Sequence, residues 1–347
     1  YAALLCSSMV FSLVSTPVSA AETGQLTNPP TSTEELSSPE SISGNEAASA
    51  LNGLSVLAAN GEAEVTTASE LTGALADSSI SRITLKGDID IGSTLTVNRT
   101  VTLDLNGCVL KMTGSDSVIK VEADGDLTIQ DRNTTTQHKF NPHCKYLTWY
   151  IDMWELDNGG SEIVSGGVIT GGGGDQSNGG GVLVAGGTLV MAGGSIVGCS
   201  AMSRGGGVCN NGTFIMSDGM IKGCTSPDGQ YASGGGVRNS NQFTMTGGMI
   251  GDPDNENDAS HVYNTSSQET TLTISGNAKI YTDITNVGIL NADGGEIAGT
   301  MTNDTNRYGT GTITGSEGAA GSTKFQDKVT NNGTIRKGTF TNEVINE

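Results

Sequence analysis

Three places in the chain hold residue types that could bind or transform something. The first is an acidic stretch, Gly251-Asp252-Pro253-Asp254-Asn255-Glu256-Asn257-Asp258, in which oxygen-bearing side chains recur at every second position. Carboxylates at Asp252, Asp254, Glu256 and Asp258 match the first half of a calcium loop, although the central Gly and distal Glu of an EF-hand are missing. Calcium is the one cofactor this pattern suggests, and the competing reading is a solvated corner. The second is residues 133–160, where both tryptophans of an aromatic-poor chain fall. Trp149, Tyr150 and Trp154 beside Asp152, Glu155 and Asp157 suit a sugar ring, because a planar apolar face with flanking acceptors can stack on it and hydrogen-bond its hydroxyls. A loop folded back so that its aromatics cover a scaffold is the alternative. The third is His138 with His143 and Cys144, zinc-ligand types for which no second Cys/His cluster completes a tetrahedral site.

Catalysis would need more. A polysaccharide lyase requires a carboxylate cluster and a Lys or Arg base, and an inverting hydrolase requires carboxylates about 6.5–9.5 Å apart. Asp88, Asp90 and Asp104 are acids with no such pattern, and Asp104 in TLDLNG reads as the cap of a corner. No catalytic residue is assigned.

The elements that must position these residues come from a repeat. GGGVLVAGGTLVMAGGSIVGC from Gly179, GGGVCNNGTFIMSDGMIKGC from Gly205, GGGVRNSNQFTMTGGMIGD from Gly234 and HVYNTSSQETTLTISGNAKIYTD from His261 read as variants of one coil. Leu189, Phe214, Phe243 and Leu272 occupy one position of it, and Met191, Met216, Met245 and Ile274 the position two residues on, hence the same face of a strand. Ile169, Ile196, Ile221, Ile250 and Ile280 follow at intervals of 25 to 30 residues, enough for one circuit of three short strands with corners. Helical repeats are excluded, since windows so rich in Gly cannot offset the entropy cost of an α-helix. The fold is predicted to be an all-β parallel β-helix over residues 63–347, with regular coils over 163–283 and shorter, irregular ones over 284–347.

Before the coils, residues 1–20 end in Val18-Ser19-Ala20 after an apolar run and read as a secretory signal peptide that lacks its basic start. Residues 21–62 are rich in Ser, Thr, Pro and Glu and are predicted to be a disordered tether. Thr67-Ala68-Ser69-Glu70 forms a capping-box sequence, with Leu71, Ala74 and Leu75 on one face, predicting a short helix over 68–77 that closes the open end of the solenoid. The chain ends in mid-pattern, so a longer protein is expected.

The run ELTGALADSSISRITLKGDIDIGSTLTVNRTVTLDLNG, followed by HKF, LTWYIDMWELD and GGVITGG before the GGGV coils, resembles the pectate-lyase-like, right-handed β-helix domains of large secreted bacterial surface proteins, a group that includes adhesins. The resemblance spans residues 65 to about 280. It implies a right-handed helix at the cell surface or secreted, and it leaves activity open because this fold hosts lyases, hydrolases, adhesins and inert stalks.

A formal charge of −20 makes nucleic acid and anionic membranes poor partners, and after signal cleavage no segment is expected to insert into a bilayer. Five cysteines follow residue 20, an odd number that excludes a full disulfide framework, and Cys199 and Cys224 are expected one rung apart as stacked thiols or a bridge. The sequence thus points to a non-catalytic surface adhesin or display stalk whose partner is a host or microbial glycan or protein. The alternative is a carbohydrate-active enzyme on the same fold. An ice-binding solenoid would need a regular Thr-x-Thr ladder that the repeats lack.

Overall fold

The computed structural model describes residues 61–144, 152–173, 178–226, 234–255, 258–265, 269–306, 309–315, 323–336, 339–340 and 343–346. The expected signal peptide and nearly all of the tether lie outside them.

The described chain winds as a parallel β-helix with three strand-bearing faces. The first face runs from Glu62–Val65 through Arg82–Leu85, Thr100–Asp104 and Asp126–Gln130 to Thr334–Ile335. Strands of the second face run from Ile89–Ile91 through Val109–Met112 and Val168–Thr170 to Thr339–Phe340. In two coils these faces share continuous bent strands, Thr188–Val197 and Thr213–Lys222, with register shifts at Ala192 and Ser195 where the bend falls. Ten strands, from Leu95–Val97 to Val344–Asn346, make the third face.

Alternation decides which side chains enter the helix. Leu189, Phe214, Phe243 and Leu272 stand in register on successive strands, as do Met191, Met216, Met245 and Ile274, and all eight are fully buried. The rings of Phe214 and Phe243 stack with centroids 4.5 Å apart. Ile169, Ile196, Ile221, Ile250 and Ile280 form the matching column on the second face. The repeat alignment therefore holds residue for residue.

A helix, α1, covers Ala68–Ala76, with Thr67 as N-cap accepting from the Glu70 amide and Glu70 returning the bond to the Thr67 amide. Leu71 and Ala74 are buried against the first coils. The Arg99 guanidinium holds its far end, donating to the carbonyls of Leu75, Ala74 and Ile80 at 2.9, 2.9 and 2.6 Å. Order starts earlier than the capping box suggests. Glu62–Val65 is already a strand, paired with Arg82–Leu85, so the helix is an excursion between two neighbouring strands of the first face.

One element of the interior was not read from the repeat. Asn210, Asn239, Asn264, Asn286, Asn303, Asn331 and Asn346 each end a strand of the third face. Each Nδ2 donates to the next Oδ1 at 2.7, 2.7, 2.7, 2.8, 2.7 and 2.9 Å. The column runs on unbroken through short circuits such as the 17 residues from Asn286 to Asn303.

Candidate functional site

Between Gln130 on the first face and Val168 on the second, the chain leaves the helix and forms a small antiparallel sheet. Its central strand Gln137–Cys144 is flanked by Asp152–Leu156 and Glu162–Ser165. Asp131 ties the base of this excursion, its carboxylate accepting from the amides of Gly107 and Gly167 at 2.7 and 2.8 Å.

The sheet lies against the outer side of the second face. Phe140, Trp154 and Val164 meet the outward side chains Val109, Val168 and Val197, forming a small apolar core outside the helix. Trp154 is 1% exposed, packs on Phe140 at 6.4 Å between centroids, and has the Lys222 ammonium 4.3 Å from its ring centre. Room for it comes from glycine. Gly198 lies under the Trp154 carbonyl and Gly223 under its ring, at φ +64° and +60°, so a side chain there would clash and would also strain the left-handed backbone. Of the three aromatic candidates, Trp154 is therefore covered on both faces and presents no platform to a sugar. Trp149 and Tyr150 lie outside the described residues.

Beside the edge strand Asp152–Leu156 a cleft of about 400 Å³ opens against the glycine corner, with Lys111, Glu155, Thr113, Thr170 and Ser200 among its lining. It offers hydroxyls, one carboxylate and one ammonium.

The acidic corner is built into the protein rather than raised from it. The Asp252 carboxylate lies 3.2 Å from the Lys222 ammonium, and these side chains are 6% and 9% exposed. Asp258 accepts from the amides of Gly223 at 3.1 Å and Ser260 at 2.9 Å. Burial raises the Asp258 pKa, and the neighbouring Asp252 adds to the rise. Asp254 donates its amide to Asp252 at 3.0 Å, and Glu256 lies outside the described residues. Among the described residues no group of three His, Cys, Asp or Glu is placed to hold a metal ion. His138 turns Nε2 to the Gly107 carbonyl at 3.0 Å. Asp104, fully buried, takes bonds from the Asn106 amide, the Gln130 amide side chain and Arg132, which makes it a corner clamp. Cys199 and Cys224 are fully buried free thiols one rung apart, and burial pushes Cys224 well up.

The outer side of the first face is a different kind of surface. One row reads Thr188, Thr213, Gln242, Thr271, Ile289 and Thr312 and the other Val190, Ile215, Thr244, Thr273, Asn291 and Thr314. Over these six coils neither row holds an ionisable side chain, in a chain of charge −20, although one rung earlier Asp126 stands beside Thr188. These residues alternate with buried ones and are half-buried, except for the exposed Gln242. The rows stand roughly 7 Å apart and advance roughly 4.8 Å per coil.

Residues 62–164 match a family model described as "Putative pectate lyase-like adhesive domain". The match covers α1, the first coils and the excursion up to Val164. No curated protein and no solved structure matches the chain. Among the described residues no helix is long and apolar enough to cross a membrane.

Proposed function

We propose that the protein is a non-catalytic extracellular adhesin or display stalk that binds neutral glycans along the outer side of its first face. The observation carrying this reading is the pair of uncharged rows from Thr188 to Thr314. Hydroxyl and methyl groups side by side can hydrogen-bond sugar hydroxyls and pack on sugar C–H faces without the cost of desolvating a charge. The match of residues 62–164 to an adhesive domain agrees with it. Acidic polysaccharides are disfavoured by the charge of −20.

A glycan array probed with the purified chain tests this, run beside lyase and reducing-sugar assays. The expected result is retention by neutral glycans, weakening little with salt, and no turnover. Capture by acidic glycans alone, or release of reducing ends, would favour the carbohydrate-active enzyme.

A further inference from the structure

The contact between Lys222 and Asp252 joins two successive coils. Lys222 ends the strand Thr213–Lys222, and Asp252 sits in the corner after the next strand of the same face, Met249–Ile250. The Lys222 Nζ lies 3.2 Å from Oδ2 of Asp252, next to the carboxyl carbon it would attack, and both side chains are more than nine-tenths buried. The Trp154 ring covers the ammonium from the excursion side, and Gly223 beneath that ring leaves no gap. Asp258 sits one peptide away, bonded to the Gly223 amide. A lone ion pair in such a place is poorly supported, because desolvating two charges costs about as much as their attraction returns. Apolar residues of similar volume would pack the position at least as well.

We propose that Lys222 and Asp252 condense to an intramolecular isopeptide bond, a covalent staple between neighbouring coils. Within the pair, a proton passes from the ammonium to the carboxylate, leaving an amine and a carboxylic acid. The amine lone pair attacks Cγ of Asp252 and the C–N bond forms. The Cγ–OH bond then breaks, and the hydroxyl leaves with a proton from nitrogen as one molecule of water. The product is a neutral secondary amide. Nothing is oxidised or reduced, and no further reactant is needed. Two buried charges disappear, and the tryptophan cover keeps out the water that would reverse the reaction.

Mass spectrometry of the full chain under denaturing conditions tests the staple. The expected intact mass, after allowance for any leader removal mapped on the same sample, is lower by one water than the sequence requires. Trypsin should fail to cleave after Lys222 and should release a branched peptide in which fragmentation places the missing water between Lys222 and Asp252. Lys222→Arg and Asp252→Ala should each restore the full mass. The arginine variant keeps a cation over Trp154, so it retains the packing while being unable to form the amide. A wild-type protein with the full mass and ordinary cleavage at Lys222 overturns the proposal, as does a water lost anywhere else. The wild-type reading decides the matter even where a variant does not fold.

Discussion

The side-chain nitrogen of Asn239 donates to Oδ1 of Asn264 at 2.7 Å and to the Thr271 carbonyl at 2.9 Å, while its own Oδ1 accepts from Asn210. A single buried amide thus serves three coils. Asn239→Ala should cost about 1–3 kcal/mol for each group left without a partner, and Asn239→Asp should cost at least as much, because a carboxylate cannot donate to Asn264. Urea unfolding of the two variants checks this, and an alanine variant as stable as wild type would show that the column contributes register without stability.

Phe214 tests the interior. Truncation to Ala should cost about 3–5 kcal/mol, the usual range for a buried phenylalanine, and Phe214→Leu much less, since leucine already fills the equivalent places at Leu189 and Leu272. Equal losses for the two variants would mean that the ring stack with Phe243 matters more than the volume filled.

Trp154→Ala should loosen the excursion more than the helix. Its contacts lie in the outer core, so the loss, about 3–5 kcal/mol at most, should appear as local opening. Hydrogen exchange should speed up in Gln137–Cys144 and Glu162–Ser165 and change little in the third face. Any glycan binding should survive.

Asp258 carries a pH dependence of unusual sign. Its folded-state pKa is raised, so the folded form holds a proton that the unfolded form has released, and this group favours folding below the folded pKa. Stability from Asp258 should fall as pH rises from the ordinary Asp range, near 3.9, through the raised value. Asp258→Asn should remove that slope while keeping an oxygen for the Gly223 amide. Melting curves across the acid range, wild type against variant, should converge at low pH and separate above it.

Thr244→Glu with Thr273→Glu places two carboxylates side by side in the uncharged rows. Both positions are half-buried on the outer face, so the change should cost about 1 kcal/mol and reduce neutral glycan binding at least tenfold. Unchanged binding would move the ligand site elsewhere, with the cleft beside Glu155 the next candidate.

The coil was legible because an inward column repeats residue types: Phe214 over Phe243 and Met216 over Met245 appear as such in the sequence. The asparagine column was written just as plainly, in VCN, VRN, VYN, ITN, MTN, VTN and VIN, yet polar residues at strand ends read as corners until the bonds between coils show all but the last, Asn346, to be buried. Nothing in the repeat marks Lys222 as buried. Its partner lies 30 residues away, and its cover comes from an insertion whose docking no periodicity encodes. For the same reason the surroundings of Trp154 could be framed as two alternatives but not decided. The strand Glu62–Val65 was lost in a polar approach, since four residues of alternating character are too short a signal.

The excursion departs after Gln130 and returns at Val168, and the strand that resumes there pairs with Val109–Met112 as if nothing had intervened. Such a corner is a port. A helix built this way can take on a new module at one rung without renegotiating the rungs above and below, so the scaffold and what it carries can change at different rates, and a foreign segment grafted between Asp131 and Gly167 should inherit a rigid mount.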